Sequence, residues 1–267
     1  MVNMSKRLQI VRMLLLNELR DREAIMFSML LPLAILILIG STNKSQVSYV
    51  YPGVIAIAFG SIALVGLPSQ LTTYREAKIL QRVNLTDISL SSFVNCIYLS
   101  QMFFMLIQLI MVTVVMEGMY GTKFKVDQTY LIACGIEILL SMLAFLALGT
   151  TVGAVSKNNR IASTIGNTLI VIMIFVGNTL FPSTGWPKLV RQIVKYFPMN
   201  NLGDAMRRTL MYNNQTGYHF MVQFISLLLC FVIFEVVGKN LLQRSVTRWV
   251  FFGNSKSIQD ISENMWN

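Results

Sequence analysis

Apolar residues along this chain are gathered into six long runs separated by short polar segments. Each run has about 17–25 residues, the length that a helix needs to cross roughly 30 Å of hydrocarbon. The predicted spans are 24–40, 50–71, 97–116, 130–155, 161–181 and 220–237. The pattern predicts an all-α integral membrane protein, with six transmembrane helices in a single domain over 1–267.

The segment before the first run, 1–23, has a helical period of its own. Its apolar residues at this spacing are Leu8, Val11, Leu15 and Leu19. They share one face at 100° per residue, and mainly charged and polar side chains occupy the other. The pattern predicts an interfacial helix whose cations hold it against anionic lipid headgroups. The alternative is a plain basic flank that only sets the topology.

The segment between the fifth and sixth runs, 182–219, also has residues at helical spacing. Apolar residues recur on one face between Trp186 and Phe197, with cations on the other, and Pro198 interrupts the pattern. A second apolar repeat, 202–210, then leads back toward the last run. The segment is predicted to form a helical hairpin on or in the outer leaflet.

Composition agrees with a membrane protein, because 54% of the residues are hydrophobic and only 13% are charged, against roughly 25% in soluble domains. The net charge of +10 would suggest nucleic acid in a soluble chain, but here it indicates cytoplasmic loops and anionic lipid rather than a nucleic-acid partner.

The distribution of cations predicts the orientation of the spans. With the N-terminus inside, the inner segments hold 14 of the 22 Lys and Arg residues and the outer segments hold 8. Both termini, including the tail 238–267, are therefore expected in the cytoplasm of a bacterial cell. The cation-rich segment 182–219 is an exception, because it would lie outside, but an aromatic belt supports the same orientation. Its members are Tyr49, Tyr51, Tyr120, Tyr130, Trp186, Tyr212 and Tyr218.

No catalytic or metal-binding motif is visible. The single histidine, His219, lies at the outer edge of the sixth run, and the three cysteines are isolated in apolar surroundings. The chain also lacks the glycine-rich loop that cradles phosphate groups. We therefore predict no catalytic residue, no metal site and no ATP hydrolysis on this chain.

Two acidic residues lie inside apolar runs, where an ionised carboxylate is costly. Glu137 is interpreted either as a cavity-lining or proton-carrying residue, or as a carboxyl bonded to neighbouring hydroxyls. Glu235 has Lys239 four residues later, which favours a local ion pair near the inner interface.

Glycine and proline interrupt two of the runs. The second run contains Pro52, Gly53, Gly60, Gly66 and Pro68, which indicates a bent or moving helix, or close packing. The fourth run ends with glycines four residues apart, at 149 and 153, which permit close helix contact either within the chain or at a dimer face.

The largest inner loop between spans, 74–89, is charged at first and then polar, and by itself it indicates an ordinary loop. In context, the whole arrangement resembles the type-2 ABC exporter permeases, which include drug, antibiotic-peptide and polysaccharide exporters. Besides the order of the parts, the resemblance rests on Arg75, Glu76, Lys78, Leu80, Arg82 and Val83, and in the hairpin on Trp186, Pro187, Phe197, Pro198, Arg207 and Arg208. The loop departs from the commoner form, since 77–79 stands in place of Gly-Thr and Asp87 or Ile88 in place of Pro.

The resemblance implies that 75–89 is a coupling helix that docks on a cytosolic ATPase subunit, with ATP and Mg²⁺ bound by that subunit. Its candidate contacts are Arg75, Glu76, Lys78, Arg82, Val83 and Leu85. It also implies that the hairpin re-enters the outer leaflet. The chain would pair with a second permease copy or a paralogue, and with two ATPase subunits, to export an amphipathic, peptide, drug-like or lipid-linked substrate.

We expect the path to run along the dimer interface, lined by spans one, two and five. Its polar candidates are Glu137, Asn167, Thr168, Asn178 and Thr179. For the span-five residues the alternative is hydrogen bonding between helices. Two other function classes stay open: a proton-coupled secondary exporter that uses Glu137, and a membrane receptor or immunity protein that binds a peptide without moving it.

Overall fold

The structure is a computed structural model that describes residues 4–20, 22–84, 88–121, 128–180, 187–194, 196–212 and 216–264. Side chains are described in these ranges except at 4–6, 22–28, 45, 81, 84, 128–129, 191, 193 and 245–264. Within the described residues all regular structure is helical. The α-helices are α1 (Met4–Arg20), α2 (Arg22–Thr42), α3 (Val47–Ser61), α4 (Leu67–Glu76), α5 (Ile79–Asn84), α6 (Leu90–Tyr120), α7 (Gln128–Val155), α8 (Asn159–Val176), α9 (Lys188–Val194), α10 (Pro198–Met206) and α11 (Gly217–Asn264). A 3-10 turn covers Lys44–Gln46, and π-helical segments cover Ile62–Gly66 and Arg207–Met211.

Five described helical stretches are long and apolar enough to cross a membrane. They are Val47–Glu76, Leu90–Tyr120, Tyr130–Val155, Asn159–Val176 and Gly217–Arg244. These stretches confirm an all-α, multi-pass membrane protein. In α2 the described apolar part, Met29–Thr42, is shorter than a span, so the first of the six spans stays a prediction.

Two predicted span ends differ from the structure for identifiable reasons. Helix α6 extends beyond 97–116 because Ser89 caps its first turn and Gly121, at φ 61°, ends it. Hydropathy follows the hydrocarbon region, whereas a capped helix continues into the headgroups. The predicted end of the fifth span at 181 is wrong, because α8 ends at Val176.

The second span is the centre of the protein. Its most apolar window is 83% buried, whereas the corresponding windows of α8 and α11 are 17% and 11% buried. Helix α3 contacts α2, α6, α8 and α10, and Tyr51 and Phe59 are among its fully buried side chains. Because lipid is as apolar as the core, this assembly depends on close packing rather than on exclusion of water.

Two glycines allow neighbouring spans to approach the π-helical segment Ile62–Gly66. A Cβ atom added at Gly149 of α7 would fall on the carbonyl oxygen of Ala63, and one added at Gly166 of α8 would fall on that of Leu64. Gly149 therefore serves packing within the chain, as the first of the two interpretations predicts, and the alternative of a dimer face is wrong for this residue. The irregularity predicted for the second span is present as this π-helical segment, a form often found at functional sites.

Replacing Gly166 with alanine is expected to lower the free energy of unfolding by about 1–3 kcal/mol, because the added methyl group forces α8 away from the π-helical segment Ile62–Gly66. The control is Gly135→Ala, where an added Cβ meets no atom within 4 Å and alanine favours the helix. Thermal unfolding of both variants in detergent measures the difference. Equal stabilities would contradict this account of the packing.

Candidate functional site

The C-terminal end of the second span, which the cation distribution predicts to be the inner one, turns sharply into the short helix α5. Lys78, between α4 and α5, has a φ of 58°, which is the left-handed backbone region. A non-glycine residue there costs of order 1–3 kcal/mol and persists only where its surroundings fix it. Leu80 fixes α5, because this side chain is fully buried. The side chains of Lys78 and Arg82 are exposed.

The Arg75 side chain points toward the protein interior. It is 8% exposed, and its guanidinium donates a hydrogen bond to the carbonyl oxygen of Ser156. Ser156 lies in the loop between α7 and α8. Hydrogen bonds from charged groups are among the stronger ones, about 1.5–3 kcal/mol each. Arg75 thus connects the end of the second span to the next inner loop.

Glu76 makes a second connection to the same loop. Its carboxylate accepts a hydrogen bond of 3.1 Å from the backbone N–H of Asn159, the first residue of α8. The position is favourable because the N-terminus of a helix carries partial positive charge. About two turns earlier on α4, the Ser69 hydroxyl donates to Asn159 Oδ1 at 2.6 Å. We call these contacts of Ser69, Arg75 and Glu76 with Ser156 and Asn159 the inner clasp.

A polar network joins α1 to the same part of the second span. The buried Gln101 side-chain amide donates to Glu18 Oε1 at 2.8 Å and to Gln70 Oε1 at 3.1 Å. Gln70 in turn donates to the Tyr74 hydroxyl at 3.0 Å. Leu14 is buried whereas Leu8 and Leu19 are exposed. Helix α1 is therefore bonded to α4 and α6 through the residues around Leu14 and Glu18.

At the opposite end of the molecule, the guanidinium of Arg207 joins three elements. Arg207 is 4% exposed, and its Nε donates to the carbonyl of Tyr49 at 2.9 Å. One terminal nitrogen donates to the carbonyls of Asn178 and Thr179, both at 2.8 Å. The other contacts Asp204 at 3.1 Å. We call this group of five residues the outer latch.

Further contacts within the outer latch fix its geometry. The Arg207 guanidinium lies 4.1 Å from the centre of the Tyr49 ring, and the Tyr49 hydroxyl donates to Asn178 Oδ1 at 2.8 Å. Asn178 has a φ of 52°, which turns its carbonyl and that of Thr179 toward Arg207. Helix α8 stops before these residues because the outer latch uses their carbonyl groups.

Comparison with known protein families identifies the family to which this chain belongs. The family model for the ABC-2 type transporter matches residues 8–211, a range that runs from α1 through the outer latch. The chain belongs to the ABC-2 type transporter family. It is thus a membrane permease of an ABC transporter, and it associates with the membrane and an ABC ATPase partner. A search of curated proteins finds no match.

The candidate coupling residues of the permease fall into two groups. Lys78 and Arg82 are exposed, and Val83 is half-buried. Arg75 is buried and Glu76 is bonded to α8, so in this conformation both act within the chain. Sequence periodicity gave no reason to separate the groups, since all lie on one inner segment. Leu85 lies outside the described residues.

The candidate hairpin residues are also divided. Pro198 is buried as the first residue of α10, with Phe197 half-buried before it, so the predicted break at the proline is confirmed. Pro187 is exposed, and Arg208 is half-buried next to the latch residue Arg207. Trp186 lies outside the described residues. Two short helices stand between α8 and α11, and their entry into the bilayer stays a prediction.

The polar path candidates on span five do not lie on one surface. Asn167 and Thr168 are on the exposed side of α8, and the Thr168 hydroxyl donates back to the Thr164 carbonyl at 2.9 Å. Asn178 and Thr179 belong to the outer latch, and their place along the path stays a prediction.

The two membrane acids have different surroundings. Glu235 forms the expected ion pair with Lys239, and it also accepts a hydrogen bond from the Tyr98 hydroxyl at 2.8 Å. Glu137 is fully buried, and neither carboxyl oxygen has a hydrogen-bond partner among the described residues. The alternative that neighbouring hydroxyls bond to Glu137 is therefore wrong.

Sequence reasoning missed several partners in these sites. Ser156, Asn159 and Asp204 were not singled out, although two signals were present. Asn158 accepts a hydrogen bond from the Ile161 N–H as the N-cap of α8, and asparagine is a typical residue at that position. Asp204 precedes Arg207 by three residues, a spacing at which helical side chains meet.

Proposed function

We propose that this permease exports an amphipathic or lipid-linked substrate across the cell membrane, driven by ATP hydrolysis on two cytosolic ATPase subunits that dock at α5. The observation that carries the proposal is the inner clasp. It joins α4, which is followed directly by the exposed residues Lys78 and Arg82, to Ser156 and the first turn of α8. Family membership favours this function over the proton-coupled exporter and the receptor.

The coupling step follows from the connections of α5. A permease that relies on a separate ATPase can respond to ATP only through contact, so an exposed inner element has to move with that subunit. Movement of α5 displaces the end of α4, and the inner clasp transfers this displacement to Ser156 and Asn159. Helix α8 then shifts relative to α4, and the second span bends at the π-helical segment Ile62–Gly66.

The proposed path lies on the exposed face of α8, with a second permease copy or a paralogue on the other side. Asn167 is exposed near the middle of this helix. An amide without a partner is costly in hydrocarbon, which supports a polar path or a second copy there, not lipid. Towards the outer end the same face presents Val171 and Phe175. This change from polar to apolar suits an amphipathic substrate.

Charge reversal on α5 tests the docking proposal. Arg82→Glu is expected to weaken co-purification with the ATPase subunit by about 2–5 kcal/mol, since a desolvated charge pair at an interface becomes a repulsion. The control is Lys44→Glu, an equally exposed cation that we place on the outer side. If correctly inserted Arg82→Glu co-purifies with as much ATPase subunit as the wild type does, α5 is not part of the docking interface.

Cysteine labelling tests the proposed orientation, with both termini in the cytoplasm. On a background without Cys96, Cys134 and Cys230, a membrane-impermeant reagent added to intact cells is expected to label Thr216→Cys and not Ser89→Cys. Both positions are exposed, so accessibility within the fold does not decide the result. Labelling of Ser89→Cys alone would reverse the orientation.

A further inference from the structure

The outer half of the protein contains a group of buried side chains, Cys134, Glu137 and Thr209, that neither the inner clasp nor the outer latch uses and that we call the pocket. Its centre is Glu137 on α7, which is 0% exposed. The Cys134 thiol, one turn away, neighbours both the Glu137 carboxyl and the Thr209 hydroxyl. Thr209 is buried as well, and neither carboxyl oxygen of Glu137 has a hydrogen-bond partner among the described residues. The pocket thus joins α7 to the hairpin, because Thr209 lies in the segment Arg207–Met211.

No charged side chain compensates Glu137 among the described residues. Two charged groups of the hairpin, Arg207 and Asp204, bind each other, and Lys188 is exposed. Arg208 is half-buried next to them. On α6 the nearest acid to this region, Glu117, is exposed.

The remaining titratable groups around the pocket also leave Glu137 without a charge partner. On α3, the Tyr51 hydroxyl is bonded to Thr113 Oγ1 at 2.8 Å, and Tyr49 is in the outer latch. On α11, His219 packs against the Tyr218 ring at the exposed outer end. A carboxylate that is removed from water and has no cation or donor is far more costly than a neutral carboxylic acid.

We propose that Glu137 is a proton-binding site, and that its bound proton holds the hairpin against α7. The carboxylic acid fits the closed pocket, whereas the carboxylate requires water. When the hairpin separates from α7, water reaches Glu137 and the proton passes to the external solution. Alkaline conditions outside therefore favour the separated hairpin, and acidic conditions favour the packed one. This site sets the position of the hairpin and is independent of the ATP-driven function proposed above.

The protonation state is tested directly by infrared spectroscopy of the purified full-length chain in lipid nanodiscs. The wild-type protein is expected to show the carbonyl stretch of a protonated carboxylic acid at neutral pH, and this band is expected to be absent from Glu137→Gln. The glutamine keeps the size of the side chain and cannot ionise. Identical spectra in the carboxylic-acid region for both proteins would overturn the proposal.

Hydrogen exchange tests the effect on the hairpin. Exchange of the backbone amides of α10 and the segment after it is compared between wild type and Glu137→Gln, each at matched pH and relative to α8 in the same molecule. The relative exchange rate of the hairpin amides in the wild type, divided by that in the variant, is expected to be near one in acidic buffer. In alkaline buffer it is expected to rise by up to about tenfold per pH unit, the limit for release of one proton.

A ratio that stays constant with pH would overturn the proposal. If Glu137→Gln folds poorly, the wild type alone still tests the proposal. In that case the exchange rate of the hairpin amides, divided by that of the α8 amides, is expected to increase with pH in the wild type. A hairpin that exchanges in constant proportion to α8 across the same range would again exclude the proton-binding site.

Discussion

Arg207→Leu is expected to destabilise the permease by about 3–5 kcal/mol, because it leaves a buried network without its cation. The carbonyls of Tyr49, Asn178 and Thr179 would each lose a hydrogen bond from the guanidinium. A buried acceptor without a partner costs about 1–3 kcal/mol. Asp204 would also lose its ion pair. In detergent, the variant is expected to unfold at a lower temperature than the wild type. The end of α8 is then no longer held to α3.

The adjacent residue supplies a matched control for the outer latch. Arg208 is half-buried, and it is in none of the latch contacts, so Arg208→Leu is expected to stay within about 0.5 kcal/mol of wild type. Arg207→Lys keeps the charge but not the planar fork that reaches several carbonyls, and an intermediate loss is expected. Equal transition temperatures for Arg207→Leu and Arg208→Leu would contradict the assignment of the latch.

Arg75→Met is expected to uncouple ATP hydrolysis from transport while the ATPase subunit remains bound. The methionine preserves much of the side-chain volume but cannot donate to the Ser156 carbonyl, so α4 loses one of its connections to the α7–α8 loop. Loss of a charged hydrogen bond of about 1.5–3 kcal/mol corresponds to roughly a 10- to 150-fold change in an equilibrium between two arrangements. The measurements are ATPase activity stimulated by substrate and co-purification, made on the same sample.

The combination of the two measurements separates the inner clasp from the docking surface. Arg82→Glu is expected to reduce assembly, whereas Arg75→Met is expected to reduce stimulation without reducing assembly. Lys157→Met is the control, because Lys157 is an exposed cation beside Ser156 and contributes no clasp contact. If substrate stimulates the ATPase activity of Arg75→Met as strongly as that of the wild type, the clasp is excluded from coupling. The network of Glu18 and Gln101 would then be the next candidate.

Some of the proposed sites were accessible to sequence reasoning and others were not. Lys78 and Arg82 were identified as charges on an inner loop, and their exposure agrees with that interpretation. Arg75 was placed with them, because a sequence does not specify which charged side chains turn inward, and the exposed Glu76 was placed with them without its bond to Asn159. The aromatic belt shows the same difficulty. Tyr218 is exposed as a belt residue should be, but Tyr51 is buried and bonded to Thr113.

By itself, the sequence determined that this chain is a multi-pass helical membrane protein, and it located most spans, the proline that begins α10 and the Glu235–Lys239 pair. These features depend on the apolar length needed to cross a bilayer and on contacts between near neighbours in the chain. Only the tertiary structure decided that Arg207 joins the hairpin to Tyr49 and that no described residue forms a hydrogen bond with the Glu137 carboxyl. Such features depend on residues from distant segments, because burial and hydrogen bonding are set by helix packing that no local pattern specifies.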